Sequence, residues 1–497
     1  MAQTSLRAWR AVACGVLALL AALAAGHLVA ALINVGASPY LAVGNAAIDL
    51  TPLPLKDFAV RTFGTHDKQV LLGGMAVVLL GAAALAGLAS RRSPWPGTVV
   101  IALFGLVGVA AVATRPGLGA VAVLAPLASL VTGVLVFRGL RGKETVASRR
   151  SFLIVLAGSA VAGVAGQLLA STKDAGASRA AVGPLVPARR APAIPADADF
   201  AKLGTPPFLT PNRDFYRVDT ALTVPQVRTE DWSLRISGMV DRERAYRYQD
   251  IRGRPLVERT ITMTCVSNEV GGPYVSTANF IGVDLADLLR EAGVRPGAEQ
   301  LFSTSVDGWT SGTPVADALD PTRGAMLAIG MNGEPLPLEH GFPARLVIPG
   351  LYGYVSATKW VTRLEVTTWQ AKQAYWLQRG WGEQAPIKTQ SRIDTPKGFE
   401  TVPAGTLRVA GVAWAQHTGI DQVEVRLDNG PWQRAILSRE ITVDTWRMWW
   451  AELSVTPGAH QISCRAKDKR GYVQTAERAG TVPDGATGWH TISFVAK

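Results

Sequence analysis

Five uninterrupted apolar runs, near residues 11–33, 70–90, 98–114, 118–137 and 152–170, constrain this chain more than any other feature. A helix needs about 17 to 25 apolar residues to cross a bilayer, and each run meets that length. The runs hold most of the Ala, Leu, Val and Gly excess, and after about residue 170 the composition becomes that of an ordinary globular protein. The expectation for residues 1–170 is therefore an all-α transmembrane anchor of about five helices.

The flanking charges give the runs a direction. Arg7 and Arg10 precede the first run, Arg91 and Arg92 separate the second and third, and Arg138, Arg141, Lys143, Arg149 and Arg150 separate the fourth and fifth. The intervening loops are mixed or nearly uncharged, so the basic ends alternate as the positive-inside rule requires. This places the N-terminus inside the cytoplasmic membrane and the C-terminal half outside it. The same count weakens a nucleic-acid reading of the net charge. Of the total of +12, residues 1–170 contribute 13 Lys/Arg against 4 Asp/Glu, or +9, and only +3 is left for the globular part.

Before the fifth run stands SRRSFL, Ser148 to Leu153, which fits the twin-arginine export signature of proteins that fold around a cofactor before translocation. His27 is the only histidine within an apolar run and His66 falls in a loop, so a bis-histidine haem between helices is not expected, and no CxxCH occurs. The helices are left with anchoring or quinone contact.

Residues 171–200, rich in Ala, Pro and Arg, read as an extended exposed linker. A first folded domain follows over 201–395, mixing alternating strands such as WSLRISGMV with a short helix, VDLADLLREAGV, in which Val283, Leu285, Leu288 and Leu289 share a face and Gly293 supplies the cap. Residues 400–497 alternate through TLRVAGVAWA, QVEVRLD and HQISCRAKD, with turns at Asp428–Gly430 and at Pro457–Gly458, as a small immunoglobulin-like β-sandwich would.

Three cysteines are too few and too widely spaced for a disulfide framework or a zinc site. Cys14 reads as a small apolar residue and Cys464 as a core strand position, although an oxidising compartment leaves a Cys265–Cys464 disulfide open. In RTITMTCVSNEVGG the alternation ends at Cys265 and breaks into a polar, Gly-rich loop, so the sulfur stands at a strand end, where a thiolate is a soft ligand for a high-valent metal.

Around that cysteine, several segments resemble the sulfite oxidase family in order and spacing, over about residues 201–497. They are TPNRDFYRVDT with Asn212, Tyr216 and Arg217, VDGW with Asp307, HGFPARLVIPG with His340 and Arg345, and YGYVSATKW with Ala357, Thr358 and Lys359. GVAWAQHTGI and WRMWW resemble the family's dimerisation domain. The resemblance implies an α+β molybdopterin domain followed by the sandwich, and a molybdenum-molybdopterin cofactor with Cys265 as the metal ligand. It also makes Asn212, Tyr216, Arg217, Asp307, His340, Arg345, Ala357, Thr358 and Lys359 cofactor-binding residues. The cations suit the cofactor's phosphate, Arg through its planar fork and Lys as a point charge.

The chain departs from the family's sulfite-oxidising pattern in two places. Val218 to Thr220 stand where an Arg-Asn-His stretch holds the anion, and Trp381 stands where the pocket tyrosine is found. Arg217 or Arg379 is the cation that substitutes for the missing one, and Cys265, Arg217 and Trp381 are taken as the catalytic set. The expected reaction is a sulfite oxidase-like two-electron oxo transfer on a small oxyanion or oxide. Reduction of an S-oxide or N-oxide is the alternative, and a non-catalytic envelope binding or scaffold protein is the reading from another class. No haem module or iron–sulfur cysteine set is encoded, so the electron partner is a separate cytochrome or quinone, and the last domain implies a homodimer.

Overall fold

The computed structural model describes residues 7–497, apart from 53–54, 56–57, 60–61, 64–65, 116–117, 142–146 and 173. Two compact units divide the chain: residues 1–174 with 220–226, and residues 175–219 with 227–497.

In the first unit, five helices among the described residues are long and apolar enough to cross a membrane: Ala8–Ile33, Asp67–Ala89, Trp95–Ala113, Ala120–Arg141 and Arg150–Leu169. They coincide with the five runs. Between 6% and 33% of each span is buried inside the protein, so most of its apolar surface faces outward, as lipid contact demands. Ala8–Ile33 is central and packs on the second, fourth and fifth spans. Small residues permit the close crossings: a Cβ on Gly15 would fall 2.0 Å from the Ala83 carbonyl oxygen, and one on Gly87 would fall 2.1 Å from that of Ala11. The stretch after the first span, expected to be a plain loop, holds a further helix, Pro39–Leu50, whose Asp49 pairs with Arg115 at 3.3 Å. Of the SRRSFL motif, the side chains of Ser148 and Arg149 lie outside the described residues, as does Lys143.

The second unit opens with a correction to the expected linker. Residues 175–182 form a helix whose Ala175, Ser178 and Val182 are buried. Arg179 donates to the carbonyls of Pro335 and Leu336, and the Ser178 hydroxyl lies 3.0 Å from that of Thr229. Its Ala-rich composition concealed an element held by tertiary contacts rather than by an apolar stripe.

Two sheets follow, the first antiparallel and the second mixed, with Ser233–Gly238 parallel to Val361–Thr367. In one, the strand Val257–Thr264 lies at the edge, paired antiparallel with Val275–Asp284, and that strand with Met326–Met331, which also pairs with Arg345–Val347. The other runs Arg244–Arg247, Ser233–Gly238, Val361–Thr367, Gln300–Ser305, Thr310–Pro314. The amphipathic helix is Leu285–Ala292, with Leu285, Leu288 and Leu289 buried and Gly293 at φ +73° ending it, while Val283 belongs to the preceding strand.

The C-terminal part is a two-sheet sandwich of four and five strands around a core that includes Val409, Val423, Trp449 and Phe494. Its first strand, Gln390–Thr395, pairs with Gly405–Trp414 and so belongs here rather than to the preceding domain. The sandwich covers the free edge of Val257–Thr264: the Thr262 amide donates to the Asp444 carbonyl at 2.9 Å, and Gln416 donates to the Thr262 carbonyl at 3.1 Å and the Thr264 hydroxyl at 2.9 Å.

Candidate active site

Cys265 is the first residue past the strand Val257–Thr264, as its sequence position suggests, and it is a buried free thiol. Its amide donates to the Tyr274 carbonyl at 3.0 Å and its carbonyl accepts from Asn268, so the turn after the strand fixes the sulfur. Cys464 is also free, so the disulfide left open by the sequence is not formed. Burial raises the Cys265 pKa, while hydrogen bonds from the Ser267 backbone and side chain and the charge of Lys359 favour the thiolate.

The cations come from the segments flagged in the sequence. Arg345, 3% exposed, begins the strand Arg345–Val347; it donates to the His340 carbonyl at 3.2 Å and lies over the Phe280 ring. Among the described residues no carboxylate pairs with it, its Nε is buried without a partner, and burial lowers its pKa to about 10. Lys359 donates to the Glu339 carbonyl at 3.0 Å and to Asp219 at 2.9 Å, and burial, the leading influence, lowers its pKa to about 8. Arg217 donates to the same Asp219 oxygen at 2.9 Å. Gly341, at φ +108°, lets the chain pass Lys359, because a Cβ there would come within 3.1 Å of the Lys359 Cα.

His340, 2% exposed, has a pKa lowered to about 3, first by burial and then by Lys359 and Arg345, so its ring is neutral. Nε2 lies 3.0 Å from the Asn212 carbonyl and must donate to it, which leaves Nδ1 as a buried acceptor without a partner among the described residues. Tyr216 stacks on Phe215 with ring centres 5.4 Å apart; burial and then the neighbouring Cys265 raise its pKa. Thr358 is fully buried, its hydroxyl 2.6 Å from that of Ser303, and the Ala357 amide donates to the Gly353 carbonyl. Asp307 occupies the hairpin turn after Gln300–Ser305, where its carboxylate accepts from the Trp309 amide at 3.1 Å and the adjacent Val306 amide donates to the Trp360 carbonyl.

Two cations, Lys359 and Arg217, thus share one carboxylate, Asp219, which the sequence marked only as part of a departure from the family pattern. Its side chain is 7% exposed. Sequence alone gave no signal for its role, because Lys359 lies 140 positions away. Trp381 is buried between Tyr354 and Trp376, with ring centres at 5.7 and 5.9 Å, and its indole N–H has no partner among the described residues. A cavity of about 550 Å³ opens beside Pro273, Arg392 and His490, but none of Cys265, Arg345 and Lys359 lines it.

The donor set fits an anionic, hydrogen-bonding ligand beside a thiol. Excess buried positive charge wants an anion, and the orphaned Arg345 Nε and His340 Nδ1 want an acceptor and a donor.

Residues 221–376 match the family described as the oxidoreductase molybdopterin binding domain. Over 326 residues the chain is 30% identical to the mitochondrial sulfite oxidase of Macaca fascicularis, an alignment covering 55% of this chain and 58% of that protein. It is 28% identical to the inducible NADH nitrate reductase 2 of Glycine max, covering 50% of this chain and 35% of the relative. The structure of the sulfane dehydrogenase SoxCD from Paracoccus pantotrophus superposes with a TM-score of 0.50 at 24% identity, covering 57% of this chain and 80% of that one, and so shares the fold. The chain spans a little over half the length of the mitochondrial relative.

Proposed function

We propose, on the premise that the globular half of this chain is a molybdopterin oxidoreductase of the sulfite oxidase family, that it carries out two-electron oxo transfer at a molybdenum ligated by Cys265. The observation that carries this reading is the buried thiol near two cations, Lys359 and Arg217, that share the Asp219 carboxylate, and a buried Arg345 that pairs with no carboxylate among the described residues. When bound, the cofactor supplies a metal that changes oxidation state by two and exchanges an oxygen with the substrate.

The chain's own residues then bind and orient. Arg345 and Lys359 hold the anionic part of the cofactor, with Arg217 at the more exposed rim, its side chain 36% accessible. Neutral His340 accepts through Nδ1 and Tyr216 flanks the sulfur. Asn212, Asp307, Ala357 and Thr358 complete the cradle in this reading.

A small oxyanion or oxide is the substrate class. Sulfite oxidation is the first direction to test. Reduction of an S-oxide is the second, favoured by Val218, an apolar residue 44% exposed where sulfite oxidisers carry a cation. The alternating basic flanks put the globular half on the extracytoplasmic side, where a separate cytochrome or quinone exchanges electrons.

The test is metal and pterin analysis of the full chain made in molybdenum-replete cells, wild type against Cys265→Ser, followed by assays with sulfite and with methionine sulfoxide. Stoichiometric molybdenum in the wild type, with the variant's activity abolished, supports the reading. Absence of molybdenum from the wild type, or an active Cys265→Ser variant, rejects it.

A further inference from the structure

The helix Ala175–Val182 lies three residues beyond the last apolar helix, yet its one long polar side chain reaches toward the cofactor segments. Arg179 makes an ion pair with Glu334 at 2.9 Å, and its Nε donates to the Leu336 carbonyl at 2.8 Å. The other Glu334 oxygen accepts from the Asn212 side chain at 2.5 Å. Asn212 is held on its remaining side by Asn332, whose amide donates to Asn212 Oδ1 at 2.8 Å. The Asn212 carbonyl in turn accepts from His340 Nε2, and the His340 carbonyl from Arg345. A run of hydrogen bonds therefore joins the helix Ala175–Val182 to His340 and Arg345, each of which carries a buried polar atom without a partner among the described residues.

We infer that Arg179 and Glu334 are positioning residues for the cofactor pocket, acting through Asn212 to hold His340 in the tautomer that leaves Nδ1 free. The inference rests on the molybdopterin reading. Neither residue lies in a segment flagged by the sequence. Hydrogen bonding at one ring nitrogen decides what the other can do, so a displaced Asn212 carbonyl changes the character of Nδ1 as well as its position. The anchor side of the device is firm: Ala175 and Val182 are buried in the unit's main core, and the Ser178 hydroxyl accepts from the Thr229 amide at 3.0 Å.

The experiment compares full-length holoenzyme in detergent with Arg179→Gln, Arg179→Lys and Glu334→Gln. Three readouts are followed: molybdenum and pterin released on dilution, the visible absorption and Mo(V) EPR signature of the centre, and the melting temperature. Removing a group that orients a metal-site residue typically costs 10- to 100-fold in affinity, so release about tenfold faster is expected for both Gln variants, with an altered signature and partial rescue by Lys. Should Arg179→Gln fail to fold, Glu334→Gln, nearly isosteric, still reports. An unchanged signature and release rate in both Gln variants, even at a lower melting temperature, overturn the inference and leave the cofactor reading intact. A wild type without molybdenum overturns both, since nothing is then positioned.

Discussion

The Lys359 ammonium lies 2.9 Å from the Asp219 carboxylate, with both side chains almost fully withdrawn from solvent at 11% and 7%. The same Asp219 oxygen also accepts from Arg217. Removing one partner of a buried pair leaves the other charge uncompensated, at roughly 3–5 kcal/mol, whereas replacing both by apolar groups is often neutral. Asp219→Asn is therefore expected to lower the melting temperature markedly, and Asp219→Asn with Lys359→Met to recover much of the loss. A double variant as unstable as the single one contradicts the pairing.

Lys359 also predicts how cofactor uptake depends on pH. Its pKa is lowered to about 8, first by burial, and a bound anion raises it, so above that pH binding must take up a proton. Uptake by cofactor-free protein should weaken by up to about tenfold per pH unit above pH 8. Lys359→Arg, permanently charged, should flatten that dependence in a reconstitution titration.

His340 acts at the acid end. Its folded pKa of about 3 lies below the ordinary value of 6.5, so the unfolded state binds the extra proton. That contribution to stability is complete above about pH 6.5 and is lost as pH falls toward 3, at up to about 1.4 kcal/mol per pH unit. His490, lowered to about 4 by burial and by Arg392, works in the same direction. Melting temperatures recorded from pH 7 to 4 should fall less steeply for His340→Gln than for the wild type, with residual slope from His490.

The helical unit offers a separate test. Gly87 faces the backbone of Ala11, and any side chain there must push the helices Ala8–Ile33 and Asp67–Ala89 apart. Gly87→Leu is expected to cost at least 1–3 kcal/mol, read as loss of monodisperse protein in detergent, whereas Gly73→Leu, with nothing within 4 Å of its Cβ, should be tolerated.

Legibility in the sequence tracked the range of the interaction. The membrane spans could be read because length and apolar composition are local, and Cys265 because a strand's alternation stops there. His340, Arg345 and Lys359 were reached through short segments, and the structure brings them together. Asp219, Glu334 and Arg179 were not reached, because each gains its meaning from a partner far along the chain. The strand Gln390–Thr395 was assigned to the wrong domain because alternation reveals a strand and not the sheet it joins.

The edge of Val257–Thr264 has a consequence for how such a protein can be dissected. The backbone leading to the cysteine finds hydrogen-bond partners in the sandwich, and Trp446 adds its own amide to the Thr262 hydroxyl at 2.7 Å. A fragment ending after Thr395 would lose these partners and expose an adhesive strand next to Cys265. The last domain thus serves as a built-in shield against aggregation, and chain order ensures that the cysteine strand emerges first and waits for its cover.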